Sequence, residues 1–308
     1  MIRPLLVWKL TTFIALVTAG SHAVLAQREV LYAQYLSNPL TINPAYAGSR
    51  ESLTMSAIFR RKWFGLQGQG FNRITQSFGA DGALSGGKVA IGIQALNDRM
   101  GLYSATGFYG SLAYRITLPS LAKLSFGASG GINVIPFFDP ASSTGINKAV
   151  PSVGAGVYYE AERFWAGVSM PELVNRPITL RTAQNAPIRY QRPLFINFGG
   201  RIAASEGVDF LPSVLLTQQT GYPLGIDLNA RVWIEEKLGL GVSYRANNST
   251  LITTMNYFVA LAEYELSKSI RVGYSLSSKQ VENPFYIQKS VHEVLFRFTP
   301  SPTKFRYQ

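Results

Sequence analysis

Cysteine is absent from the 308 residues, and only two histidines occur. The first absence excludes disulfides, thiolate metal sites and the lipid-modified cysteine that tethers exported lipoproteins. His22 falls in an N-terminal segment that reads as removed, which leaves His292 alone. It has no cysteine or carboxylate cluster with which to build a metal site, and no Gly-x-Ser-x-Gly elbow supplies a nucleophile for it. No catalytic residue, metal or cofactor is therefore expected, and His292 reads as a structural residue pairing with a neighbouring strand. Charge is scarce too: 15% of residues are charged, against about 25% in soluble domains. Long helical patterns are also lacking, since no window supports a helix of more than a couple of turns.

The chain does carry 28 glycines, 18 phenylalanines and 16 tyrosines, with a net charge of +12. Such a basic balance invites a nucleic-acid reading. The only basic triple is Arg60-Arg61-Lys62, and no compact basic run with interleaved aromatics accompanies it, so no nucleic-acid partner is expected. Gly82-Ala-Leu-Ser-Gly-Gly87-Lys88 has the spacing of a phosphate-cradling loop, but Val89 stands where a Mg²⁺-holding hydroxyl belongs. It reads as a glycine-rich hairpin.

Arg3 and Lys9 accompany an apolar run from Leu10 to Val17, and Val24-Leu25-Ala26 follows. The run is well short of the roughly 20 residues of a spanning helix, and Ala26 with Val24 suits signal-peptidase cleavage. The expected organisation is a signal peptide over 1–26, an arm over 27–51 and one domain over 52–308. An exported chain with neither lipid anchor nor spanning helix has only its own surface to hold it in a membrane.

From residue 52 the sequence becomes a series of short alternating segments. They centre on Leu53–Arg60, Ile74–Phe78, Val89–Ala95 (closed by an Asn97-Asp98 turn), Phe108–Ile116, Leu124–Ala128, Val153–Tyr159, Phe164–Val168, Leu194–Ile202, Phe210–Thr217, Ile226–Ile234, Leu238–Tyr244, Ile252–Tyr264, Ile270–Leu276 and Val294–Phe298. Two longer connections, Pro136–Lys148 and Pro171–Gln191, read as loops at a barrel rim. Period-two patterning predicts strands, and about 14 of them, an even number, fit an all-β, antiparallel outer-membrane barrel in contact with lipid. Aromatics near segment ends (Trp63, Phe64, Tyr103, Tyr158, Phe195, Trp233, Tyr257, Tyr274) read as interfacial girdles. Arg115, Arg231, Arg245, Arg271 and Arg297 each sit between apolar neighbours, as do Glu160, Asp227 and Glu263. They must point away from the apolar face, into a mixed-charge lumen if this is a barrel and into solvent if it is a soluble β protein. Paired, they would fill the lumen; unpaired, they would line a pore for anionic solutes.

The least ordinary stretch is Gln34–Arg50, with Asn38-Pro39 and Asn43-Pro44 five residues apart, Tyr35 and Tyr46 around them, and Ala45, Ala47 and Gly48 at its end. Each proline removes a backbone donor and pushes the preceding asparagine out of the α region. From the residues alone the segment reads either as a turn-rich linker or, being too apolar to float in water, as an ordered arm packed on or inside something larger. Gln34-Tyr35, Asn38-Pro39-Leu40 and Asn43-Pro44-Ala45-Tyr46-Ala47-Gly48-Ser49 resemble the opening signature of the PorP/SprF family, outer-membrane proteins of the type IX secretion system. Phe59-Arg60 with Trp63 and Gly65, Ala95-Leu96-Asn97-Asp98 with Gly101, Ala113-Tyr114-Arg115, Gly241-Val242-Ser243-Tyr244-Arg245 and Val291-His292-Glu293 are similar to later landmarks of that family, in the same order. The resemblance implies a non-enzymatic outer-membrane component of secretion or gliding. Its partners would be periplasmic ring and motor-associated proteins, or the C-terminal domain of a secreted surface protein. The arm, through Tyr35, Asn38, Pro39, Asn43, Pro44, Tyr46 and Gly48, would carry periplasmic contacts or plug the barrel.

Overall fold

The computed structural model describes residues 33–62, 73–100, 103–139, 144–173, 178–179, 187–188, 192–220, 223–249, 254–278, 282–283, 286–287, 290–303 and 305–307. The expected signal peptide, with Trp63 and Phe64, lies outside them. Fourteen antiparallel strands close into a barrel: β1 (Thr54–Lys62), β2 (Arg73–Leu84), β3 (Val89–Met100), β4 (Tyr103–Thr117), β5 (Lys123–Asp139), β6 (Thr144–Glu160), β7 (Phe164–Met170), β8 (Leu194–Gly200, resuming as Ile202–Ser205), β9 (Val208–Gln218), β10 (Gly225–Ile234), β11 (Leu238–Ser249), β12 (Thr254–Ser267), β13 (Ile270–Ser277) and β14 (Val291–Phe298). Each strand pairs with its sequence neighbour. The seam closes where Met55–Lys62 runs against Val291–Phe298, with Met55 opposite Phe298. The break in β8 at Arg201 falls opposite Leu211 of β9, next to Pro212, which has no amide to give the ladder.

The two faces decide what surrounds the sheet. Leu112, Tyr114, Ile93, Phe258, Val294 and Phe296 point outward and are exposed, while Ser111, Arg115, Asn229, Ser243, Glu263 and Glu293 point inward and are buried. A soluble β protein has the opposite arrangement. An apolar exterior around a polar interior is that of a barrel in lipid, so the soluble alternative is excluded. Leu112 is 57% exposed and its neighbour Ser111 only 8%, which gives a direct test. Arginine at a lipid-facing midplane position costs roughly 2 to 4 kcal/mol. Leu112→Arg is expected to lose the heat-modifiable folded band on a gel, and Ser111→Arg to keep it; equal loss, or the reverse order, contradicts this parity.

The strands run longer than the alternation suggests. Asn97 and Asp98 do not turn but continue β3, opposite Thr106 and Ala105. Thr75 Oγ1 donates to Asp98 Oδ1 at 2.9 Å, and Asn97 Nδ2 to Thr106 Oγ1 at 2.9 Å, so cross-strand partners replace the turn contacts such residues usually make. The supposed loop Pro136–Lys148 is mostly a hairpin, paired from Ile135↔Lys148 to Asp139↔Thr144. Beyond Val134 strand β5 has lost β4 as a neighbour, and Pro136 therefore sits on an edge, where prolines are tolerated. Gly82–Gly87 does form a hairpin turn, with Gly86 and Gly87 at φ 66° and 88°, backbone that favours glycine.

At one rim the connections are short: 85–88, 118–122, 161–163, 206–207, 235–237 and 268–269. The longest, 171–193 and 278–290, are at the other. Both the arm, entering β1 at Thr54, and the end of β14 at Phe298 lie at the short-turn rim, the periplasmic side of bacterial barrels.

Candidate functional site

The arm lies inside the lumen. Its backbone makes three consecutive 3₁₀ turns, Ala33–Leu36, Pro39–Thr41 and Pro44–Tyr46. The two Asn-Pro dipeptides start the second and third, with each proline in the first turn, where its missing amide costs nothing. Asn43 caps its turn by accepting from Ala45 N at 2.9 Å. It also donates to Val157 O on β6 at 3.0 Å, and one short side chain thus folds the arm and fastens it to the wall. Asn38 is buried over Gly79 of β2. Ala45 and Ala47 are 0% exposed.

The barrel wall is shaped for this segment. Gly127 and Gly156 face each other across β5 and β6. A Cβ on Gly127 would stand 2.2 Å from Ala45 N, and one on Gly156 2.2 Å from Asn43 Oδ1. Gly48, at φ 66°, has a position where a Cβ would come within 2.5 Å of Ala90 Cβ, so close approach and backbone conformation both demand glycine. Tyr46 packs edge-on against Tyr158, ring centroids 5.3 Å apart. Tyr35 joins Leu36, Ile42, Phe195 and Leu215 in a second cluster, and its hydroxyl accepts from Asn229 Nδ2 at 2.9 Å. Burial pushes both phenols up from their ordinary range, which keeps them neutral at physiological pH.

Inward charges fasten the arm and one another. Arg115 donates to Gly48 O at 2.9 Å and to Ala47 O at 3.0 Å. Asp81 accepts from Gly48 N at 2.8 Å and pairs with Arg50 of the arm at 3.7 Å. Arg50 in turn donates to Ser37 O at 2.6 Å and lies over the Tyr46 ring. Glu263 accepts from Ser37 Oγ and sits between Arg231 at 3.4 Å and Arg271 at 3.3 Å. Arg245 lies opposite Asp227 on the neighbouring strand, 3.1 Å away, and over the Tyr35 ring. Arg297 and Arg271 share Glu265, and Arg60 meets Glu293 at 3.0 Å. Arg115, Arg231, Arg245, Arg271, Arg297, Asp227 and Glu263 are all buried. Burying a guanidinium is costly unless a carboxylate or carbonyl offsets it, and the carboxylate partners lie on the neighbouring strand or on the next but one.

Arg115 offers a graded test. Its planar fork reaches two arm carbonyls at once, which a lysine ammonium cannot do in the same geometry. Arg115→Lys is expected to assemble but to lose roughly 1 to 3 kcal/mol of arm anchoring, read as faster proteolysis of the arm in the folded barrel. An unchanged rate would mean that these bonds do not hold the arm.

The girdle assignment needs correction. Tyr158, Phe195, Trp233 and Tyr257 are buried inside the barrel: Tyr158 and Phe195 pack on the arm, Trp233 on the C-terminal residues, and Tyr257 beside Val259 and Arg245; Tyr274 does face outward. Nothing in the alternation alone separates an inward aromatic that meets a plug from an outward one that meets headgroups. His292 also lies on the outward face of β14, its Nδ1 2.6 Å from the Tyr274 hydroxyl on β13 and its Nε2 2.8 Å from Ser290 Oγ. Sequence reasoning missed the C-terminal residues entirely. Phe305 and Tyr307 pack on Trp233 and on each other, and the alternating Phe305-Arg306-Tyr307 was the available signal.

The fold is shared with solved outer-membrane proteins. A monoaromatic hydrocarbon channel, CymD, matches at TM-score 0.52 and 11% identity, over 91% of this chain and 99% of its own. The Ralstonia pickettii toluene transporter TbuX gives 0.51 and 9%, over 91% and 98%. The Acinetobacter baumannii outer-membrane protein Omp33 gives 0.50 and 8%, over 81% and 98%. At such identities the likeness is one of fold. No curated protein matches the sequence. A family model described as type IX secretion system membrane protein PorP/SprF does match, over residues 24–298, and the chain belongs to that family, an outer-membrane β-barrel component of type IX secretion.

Proposed function

We propose that the protein works by binding rather than by conduction, holding a periplasmic component of the secretion machinery, the C-terminal domain of a secreted surface protein, or both. The observation that carries this reading is the filled lumen, with arm residues 33–50 seated in it and inward charges of opposite sign paired with one another. An anion-selective pore would need unpaired basic side chains facing a water column, and the lumen arginines are instead held by Asp227, Glu263, Glu265, Glu293 and arm carbonyls. The two hydrocarbon transporters with this fold move apolar solutes, whereas here the buried inward positions of the wall include many Ser, Asn, Asp, Glu and Arg side chains. Export through a cleaved signal peptide, residues 1–26, completes the proposal.

In this reading the two rims do different work. The long connections 171–193 and 278–290 face the cell exterior and meet the surface protein, while the short-turn rim meets the periplasmic machinery. Photo-crosslinkers placed at Leu173 and at Lys268, in intact envelopes, test the division. The Leu173 probe is expected to capture an exported protein through its C-terminal domain, and the Lys268 probe a periplasmic ring or motor-associated protein. Capture of neither, from a barrel that supports secretion, would overturn the binding reading.

A further inference from the structure

Beyond Phe298, where β14 ends, the chain crosses the short-turn mouth. Thr299 N bonds to Ser269 O at 2.8 Å on the near side. Phe305 then packs against Trp233, ring centroids 5.0 Å apart, and the Arg271 guanidinium lies 4.8 Å from the Phe305 ring. The main chain is gripped as well, since Arg271 donates to Arg306 O at 2.9 Å and Arg231 to Tyr307 O at 3.0 Å. On the far side Arg306 reaches Glu160 of β6 at 2.9 Å and Glu51 beside the arm at 3.3 Å. Tyr307 donates to Asp209 of β9 at 2.5 Å, under the guanidinium of Arg201. In a closed ring of fourteen strands, β6 and β9 lie across the opening from β14. A cavity of about 570 Å³ touching Arg50 and Arg297 flanks the crossing on one side. Another of about 370 Å³ touching Tyr46 and Ser49 flanks it on the other. Both open onto the end of the arm.

We propose that residues 299–303 and 305–307 are a displaceable strap, closing the mouth behind the arm and retaining it in the lumen. The described residues of the strap join no strand ladder. Arg231 and Arg271, which grip its carbonyls, already pair with Glu263 and Glu265 inside the barrel. Its departure therefore strands no buried charge among them, the condition for a segment to leave without unfolding the wall. Departure also breaks the Arg306–Glu51 pair and unites the two cavities into a vestibule that reaches Tyr46. The closures are thereby ordered, strap before arm.

The absence of native cysteine makes the test clean, because Ser49→Cys introduces the sole thiol, at a position that is 2% exposed beside the smaller cavity. Labelling by a bulky maleimide is followed in the folded full-length barrel, in a chain stopped after Phe298, and in Phe305→Ala/Arg306→Ala. Ser111→Cys, made separately in the same three backgrounds and lying on the far side of the arm, supplies the reference thiol. Local opening sets the rate, and about a tenfold increase at position 49 is expected for the stopped chain, with a smaller increase for the double variant and none at position 111. Unchanged labelling at position 49 in folded variants would overturn the strap, and so would equal increases at both positions, which would show a loosened barrel. Should the stopped chain not fold, the double variant decides by the same two outcomes.

Discussion

Leucine in place of Gly127 is expected to leave the barrel standing and expel the arm from it. The position faces inward on β5, and its Cβ would stand 2.2 Å from Ala45 N, 2.4 Å from Ala45 Cα and 2.5 Å from Pro44 C. All three atoms are backbone, so no rotamer change relieves the contact, and proline fixes that backbone. The wall itself loses nothing: the residue opposite is Gly156, and with the arm gone a leucine projects into open lumen. The arm must therefore move, and a silent barrel should become one that passes ionic current in a planar bilayer. Gly130→Leu is the control, three residues along the same strand, where nothing lies within 4 Å of an added Cβ; it should stay silent. A Gly127→Leu barrel that inserts and remains silent would show that the lumen is blocked by something other than this segment.

Removing both anchoring rings should separate insertion from function. Tyr35 and Tyr46 are buried to within 3%, and truncating a buried aromatic to alanine costs roughly 3 to 5 kcal/mol. The double Tyr35→Ala/Tyr46→Ala variant therefore loses most of what seats the arm, although strands beginning at Thr54 keep their ladders. The expected product is heat-modifiable and membrane-inserted, yet fails to support secretion or surface display of its client. Failure to insert would instead make the arm a folding element. Normal secretion would remove the arm from the functional account.

Much of this was legible from side-chain period. Each of the fourteen alternating segments overlaps one barrel strand, because a wall with lipid on one side and a filled lumen on the other imposes period two on every strand. Arginines between apolar neighbours, such as Arg115 between Tyr114 and Ile116, had to point away from the apolar face, which in a barrel means into the lumen. Strand ends were not legible, since Asn97, Asp98 and Pro136 look like turn residues and become strand through partners far away in sequence. The Asn-Pro pairs announced an ordered arm, but its path depends on Gly127, Gly156 and Arg115, each supplied by a different strand. The interior role of Tyr158, Phe195, Trp233 and Tyr257 was hidden for the same reason: an aromatic at a strand end suits headgroups or a plug equally well until register is known. The C-terminal crossing offers only the short alternation Phe305-Arg306-Tyr307, too brief to place it without its contacts.

Current through a planar bilayer containing the intact chain, recorded beside the Gly127→Leu barrel as proof of insertion, tests the central claim most directly. The account predicts no stable conductance step from the intact protein, and open-channel steps from the variant. A stable, anion-selective current from the intact chain would contradict it, and would make the lumen a conduit rather than a filled scaffold for binding.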